Sequence, residues 1–155
     1  MADESPRPDR AKSQILPATG RSLPIALLRA RERIMGPFRE LLAESGVTEQ
    51  QWRVLRVLDE AGPQDATQIA RNACLLMPSL SRIVATLITK GYVTRRRSDD
   101  DGRRAVIAIS QSGRGLLEHN MERSLAIADR LEKALGRERL DELLDLLNEL
   151  DRIEI

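Results

Sequence analysis

A mainly helical fold interrupted by one β-hairpin is the architecture this sequence predicts, on three observations. Apolar residues recur at helical spacing along most of the chain. Aromatic residues are only 2% of the composition, so Leu, Ile, Val and Ala must fill the core, which favours packed helices over a sandwich. The helical period breaks clearly once, over residues 92–110, where two short strand-like runs flank a seven-residue tip. At 155 residues the chain has about the length of one domain.

Residues 1–21 mix Pro, Ser, Asp and Arg without periodicity and read as a mobile N-terminal arm; a single domain is expected over 22–155. Ser22 can cap a first helix reaching about Glu44, with Pro24 tolerated in its first turn and Gly36-Pro37 expected to bend it. Thr48 and Gln51 form a capping box for a second helix that carries Trp52, Val54, Leu55 and Leu58 and stops near Gly62-Pro63. Asp65 can cap a short third helix through Ile69 and Ala70, and Pro78 opens a fourth that ends at Gly91. Residues 92–97 and 105–110 suit the two strands. Ser110 caps a long fifth helix to about Leu135, and Gly136 breaks it. A sixth helix places Leu140, Leu143, Leu147, Leu150 and Ile153 at coiled-coil-like spacing. The segment at about 48–110 is thus a winged helix-turn-helix. The helices at about 22–44 and 111–154 would leave leucine faces open in a lone chain, which predicts a helical dimerisation region.

Charged residues make up 32% of the chain and the net charge is +1, which excludes a uniform basic coat. The charge is nevertheless uneven: residues 77–105 hold seven bases and three acids, whereas 129–155 hold five bases and nine acids. A basic patch on a near-neutral chain predicts a localised polyanion site. No stretch of about 18 apolar residues suggests a membrane span. The N-terminus shows no secretory pattern, and one cysteine cannot close an internal disulfide. A cytoplasmic protein is the expectation.

On a wheel of about 100° per residue, Leu80, Ile83, Val84 and Leu87 form the core-facing stripe of the fourth helix. Ser79, Arg82, Thr86 and Thr89 fall elsewhere, with Ser81 at the margin. Small hydroxyls at a helix start suit close approach to phosphates, and an arginine one turn in reaches guanine O6 and N7 in a major groove. Alone, this pattern favours an ordinary surface helix with a serine-rich start; the short helix before it and the hairpin after it turn the reading towards double-stranded DNA. Arg95, Arg96 and Arg97 alternate along the first strand, so only one or two can lie on phosphates. In Asp101-Gly102-Arg103-Arg104, glycine permits a tight turn and Asp101 can bond within the loop or orient a neighbouring arginine. Arg103 then stands at the tip, where minor-groove insertion is possible. The acids Asp99, Asp100 and Asp101 count against a generic phosphate magnet.

Thr48-Glu49-Gln50-Gln51-Trp52-Arg53-Val54-Leu55, Pro78-Ser79-Leu80-Ser81-Arg82, Lys90-Gly91-Tyr92-Val93-Thr94-Arg95 and Asp101-Gly102-Arg103-Arg104 together resemble the MarR family of transcriptional regulators, over about 22–150. Ile25-Ala26-Leu27-Leu28-Arg29-Ala30-Arg31-Glu32 and Ala73-Cys74-Leu75-Leu76-Met77-Pro78-Ser79-Leu80 look most like its branch that represses homoprotocatechuate degradation genes. The resemblance implies a homodimer knitted by the first, fifth and sixth helices, a pseudo-palindromic operator, and release by a small, often phenolic ligand. It implies recognition-helix contacts from Ser79, Ser81 and Arg82 and a wing contact from Arg103 positioned by Asp101. Thr86, Arg95, Arg96 and Arg104 complete the DNA-binding set read from the residues. The arm before Ser22 is outside the family pattern.

On the first helix Arg31 falls in the middle of a stripe formed by Leu27, Ile34, Met35, Phe38 and Leu42. A guanidinium there needs a partner. Three arrangements fit: a carboxylate of the same dimer, snorkelling to solvent, or the carboxylate of an aromatic effector. Phe38 and Trp52 could wall such an effector pocket, although Trp52 also suits the core. Cys74, among Ala73, Leu75 and Leu76, reads as a buried inert thiol, with redox sensing as the alternative. His119 has no companions at metal-ligand spacing, so no metal or other cofactor is expected. No catalytic constellation is visible, which argues against an enzyme. A winged helix used for protein–protein contact remains a second reading; it would need an apolar outer face on the fourth helix.

Overall fold

The structure is a computed structural model that describes residues 18–98 and 104–154. It divides into two units, 1–33 and 34–155. In the first, Thr19–Arg21 forms a single 3-10 turn within the stretch read as an arm, and Arg29 Nη2 donates to Thr19 Oγ1 at 3.2 Å. Helix α1, Leu23–Glu44, contains Pro37. Leu23, Leu27 and Leu28 are exposed.

The second unit is built around α2 (Glu49–Ala61), α3 (Ala66–Asn72), α4 (Met77–Thr89), a hairpin of β1 (Val93–Arg97) and β2 (Ala105–Ile109), then α5 (Gln111–Leu135) and α6 (Arg137–Asp151). The starts of α2, α3 and α5 have a local cause. Thr48 accepts from Gln51 N at 3.1 Å while the Gln51 side chain returns to Thr48 N, and Asp65 and Gln68 repeat the arrangement at α3. Ser110 accepts from Gly113 N at 3.1 Å to start α5. Helix α4 stops in a Schellman turn: Gly91, at φ 75°, donates to Ile88 O, and Tyr92 N reaches Leu87 O at 2.9 Å. The chain thereby leaves α4 directly into β1.

Strands β1 and β2 pair antiparallel, with Val93 opposite Ile109 and Arg97 opposite Ala105. Gln64 adds a further bridge, exchanging both backbone hydrogen bonds with Ile107 at 2.8 and 3.0 Å. Its buried side chain donates to Val57 O and Gly62 O and accepts from Asn72 Nδ2 at 2.7 Å, so the polar atoms of this core position are met. Val54, Leu55 and Leu58 of α2, Ile69 of α3, the stripe Leu80, Ile83, Val84 and Leu87 of α4, Val93, Ile107 and Ile109 of the hairpin and Leu117 of α5 form one apolar cluster. Burial on this scale contributes about 1.5–3 kcal/mol per large aliphatic side chain, and it fixes which face of α4 remains outside.

The expected element order is observed, with ends shifted by a residue or two. Helix α4 begins at Met77, one residue before the expected Pro78, and Ile153 lies beyond α6. The expectation for Cys74 is corrected: its side chain is exposed. The tight passage from α3 to α4 takes Cys74 to φ 52°, turning its side chain away from the core that buried Ala73 joins. Among the described residues no single helix is long and apolar enough to cross a membrane.

Candidate nucleic-acid interface and an apolar cavity

With its stripe buried, α4 presents Ser81, Arg82, Thr86 and Thr89 to solvent, with Ser79 half-buried near its start. The hydroxyls are organised before any ligand arrives: Ser81 Oγ donates to Met77 O at 3.1 Å, Thr86 Oγ1 to Arg82 O at 3.0 Å and Thr89 Oγ1 to Ala85 O at 3.1 Å. Their hydrogens sit on the helix and their lone pairs point outward. Two shallow grooves flank the helix. One, of about 210 Å³, joins Ser79, Arg82 and Thr86 to Thr48 and Gln50 at the start of α2. The other, of about 170 Å³, joins Ser81, Ala85 and Ile88 to Arg95 of the wing.

Arg95, Arg96 and Arg97 are all exposed on β1. Arg104, at the start of the returning strand, has Nη1 3.9 Å from Asp65 Oδ2, which ties the base of the wing to the N-terminus of α3. Asp101 and Arg103, assigned to the wing tip from sequence, lie outside the described residues. Ser79, Ser81, Arg82, Thr86 and Arg95 thus line the two grooves of one helix, Arg96 and Arg104 belong to the adjoining hairpin, and Gln50 is an addition that wheel analysis of α4 alone did not reach.

A separate cavity of about 520 Å³ lies between α2 and α5 and is also lined by Phe38. Trp52, Arg56, Leu117, Met121, Ser124 and Leu125 are among its walls, with Asp59 and Glu60. Its size is that of a small-molecule site. Phe38 and Trp52, assigned to an effector pocket from sequence, both line this cavity. The cation in the lining is Arg56. The signal for it was available, because Arg56 follows Trp52 by four residues and so shares its helix face. Asp59 Oδ1 is 3.3 Å from Arg114 Nε, which offsets one of the two acids. Arg31 belongs to the other unit; it is exposed, with Nη1 3.1 Å from Glu32 Oε1.

A short helix, a tight turn, a second helix with a polar outer face and a basic hairpin beside it define a winged helix-turn-helix DNA-binding protein. The family model of MarR matches residues 47–105. The chain is 40% identical to the HTH-type transcriptional regulator FarR of Neisseria gonorrhoeae, over 86% of this chain and 91% of that protein. It is 34% identical to the homoprotocatechuate degradative operon repressor of Escherichia coli, over 83% and 86%. It also superposes on the crystal structure of NadR in complex with 4-hydroxyphenylacetate with a TM-score of 0.80 and 38% identity, over 90% and 99% of the two chains. The chain belongs to the MarR family and is a transcriptional regulator.

Proposed function

We propose that this regulator is a cytoplasmic homodimeric repressor that binds a pseudo-palindromic operator and leaves it when a small aromatic acid occupies the cavity between α2 and α5. The observation that carries the DNA reading is the outer face of α4. Ser79, Ser81, Arg82 and Thr86 form a hydroxyl-and-arginine surface between two grooves, with Arg95 and Arg96 on the strand beside it. Arg82 reads a base edge in the major groove. Asp101, Arg103 and Arg104 serve the wing, Arg103 in the minor groove and Asp101 as its positioning residue. A protein-contact module would need an apolar face there, whereas Ser81, Arg82, Thr86 and Thr89 are polar and exposed.

The effector reading rests on the cavity and on relatives whose names concern homoprotocatechuate degradation and 4-hydroxyphenylacetate. Trp52 and Phe38 hold the aromatic ring, and Arg56 meets the carboxylate. Arg31 stands as a second candidate for the carboxylate. Ligand then favours a dimer whose recognition helices no longer match half-sites about 34 Å apart.

The test is a duplex selected from a random library by the full-length protein, followed by gel-shift titration with 4-hydroxyphenylacetate. Expected are a salt-steep affinity for the selected duplex, loss of about 1–3 kcal/mol in Arg82→Ala, and release by the acid that disappears in Arg56→Ala. Selection of no preferred duplex would reject the DNA reading. Release retained in Arg56→Ala and lost in Arg31→Ala would move the carboxylate to Arg31.

A further inference from the structure

We infer that the flank of α4 turned towards the wing reads the 5-methyl groups of thymines in the major groove, an inference that rests on the DNA reading above. The outer surface of α4 has two unlike sides. Ser79, Arg82 and Thr86 line the groove shared with the start of α2, and all three are polar. On the other flank Met77, Ser81, Ala85 and Ile88 follow one another at successive turns, which places them in one row along the helix. Three of these four are apolar and none is buried: Met77 is 44% and Ile88 39% exposed, and Ala85 is exposed too. Ser81 donates its hydroxyl hydrogen to the Met77 carbonyl. The row therefore brings no free side-chain donor to a base edge, unlike the arginine on the opposite flank.

Single apolar side chains on a surface need no partner, but a row along the helix that carries the proposed DNA contacts does. Folding does not account for it, because Leu80, Ile83, Val84 and Leu87 are the residues of α4 that fill the core. Ser81, Ala85 and Ile88 share a shallow groove of about 170 Å³ with Arg95. Arg95 and Arg82 thus flank the row on its two sides, and two cations suit a DNA backbone better than an apolar protein partner. Inside the major groove the apolar feature of the base edges is the methyl group on C5 of thymine. Met77 stands in the first turn of α4, the end of a recognition helix that reaches base edges. Its unbranched, polarisable side chain adapts to a methyl group. Ala85, two turns further, is small enough to let the helix come close.

The experiment uses full-length protein and the duplex it selects, with each thymine replaced in turn by deoxyuridine, which removes the methyl and keeps the base pair. Gel-shift affinities are measured for wild type and for the double variant Met77→Gln with Ala85→Ser. Both positions are exposed, so the thermal midpoint of the double variant should be nearly unaltered. Wild type should lose about fourfold in affinity at one or more thymines, the weight of one buried methyl group. The double variant should bind the parent duplex more weakly and be indifferent to the same replacements. A preferred duplex without thymine, a wild type indifferent to every replacement, or a double variant as sensitive as wild type overturns the inference, while the preference for the selected duplex still upholds the DNA reading. Selection of no preferred duplex overturns both.

Discussion

At Cys74 a side chain is held at φ 52°, in the left-handed region that costs a non-glycine residue about 1–2 kcal/mol. The turn between α3 and α4 demands it. The thiol is exposed. Cys74→Gly is expected to raise stability by up to about 1 kcal/mol in urea unfolding while leaving duplex affinity unchanged, and that affinity should not respond to peroxide in wild type. A peroxide-dependent loss of binding that Cys74→Gly abolishes would restore the redox alternative. Glu44 shows a different residue-scale effect. The hydrogen bond from Arg123, and its charge, hold the Glu44 carboxyl below its ordinary 4.5. A depressed carboxyl contributes stability that is complete above 4.5 and is lost as pH falls through its lowered folded value. The pair is fully exposed, so its removal in Glu44→Gln should leave the neutral-pH midpoint nearly unmoved.

Elements meet at places where single atoms decide the fit. A Cβ on Gly113, in the first turn of α5, would overlap the Tyr92 carbonyl and approach Ile109 Cγ1 to 2.7 Å. The hairpin is backed onto α5 there, and Ser110 completes the joint by donating to Gly91 O at 2.6 Å. Gly113→Ala should therefore cost roughly 1–3 kcal/mol, the range for overpacking, and displace the wing. Urea unfolding and duplex affinity should fall together; an unaltered midpoint would show the joint to be loose. The loop after α1 is a second joint. Ser45 Oγ donates to Asn120 Oδ1 at 2.8 Å, Asn120 being 1% exposed, while Lys90 Nζ reaches Gly46 O at 2.5 Å. The same loop is thus tied both to the cavity-lining helix α5 and to the end of the recognition helix α4.

At the scale of the molecule, the lone chain leaves much apolar surface outside. Leu23 and Leu28 are exposed in the first unit. In the second, Met121 and Leu125 of α5 and Leu143, Leu144 and Leu146 of α6 are exposed, and α6 buries none of its residues. Surfaces of this kind mark an interface, and a second copy of the chain is the occupant the proposed function requires. Leu143→Lys with Leu146→Lys, both exposed in the single chain, should yield a monomer by light scattering and abolish high-affinity duplex binding. Wild-type unfolding midpoints should rise with protein concentration, and a concentration-independent midpoint would argue for a monomer.

What was legible in the sequence is what nearest neighbours decide. The capping boxes at Thr48 and Asp65, the Gly91 stop, the Ser110 cap and the apolar stripe of α4 are each set within a few residues, and they are enough to give the order of helices and hairpin and to leave Ser79, Ser81, Arg82 and Thr86 off the core-facing stripe. Other features depend on elements distant in the chain. The bridge from Gln64 to Ile107, the close approach at Gly113 and the joining of Arg56 to Ser124 around one cavity have no local signature. Periodicity says which side of a helix turns inward, but only packing decides what that side, or the opposite one, will meet.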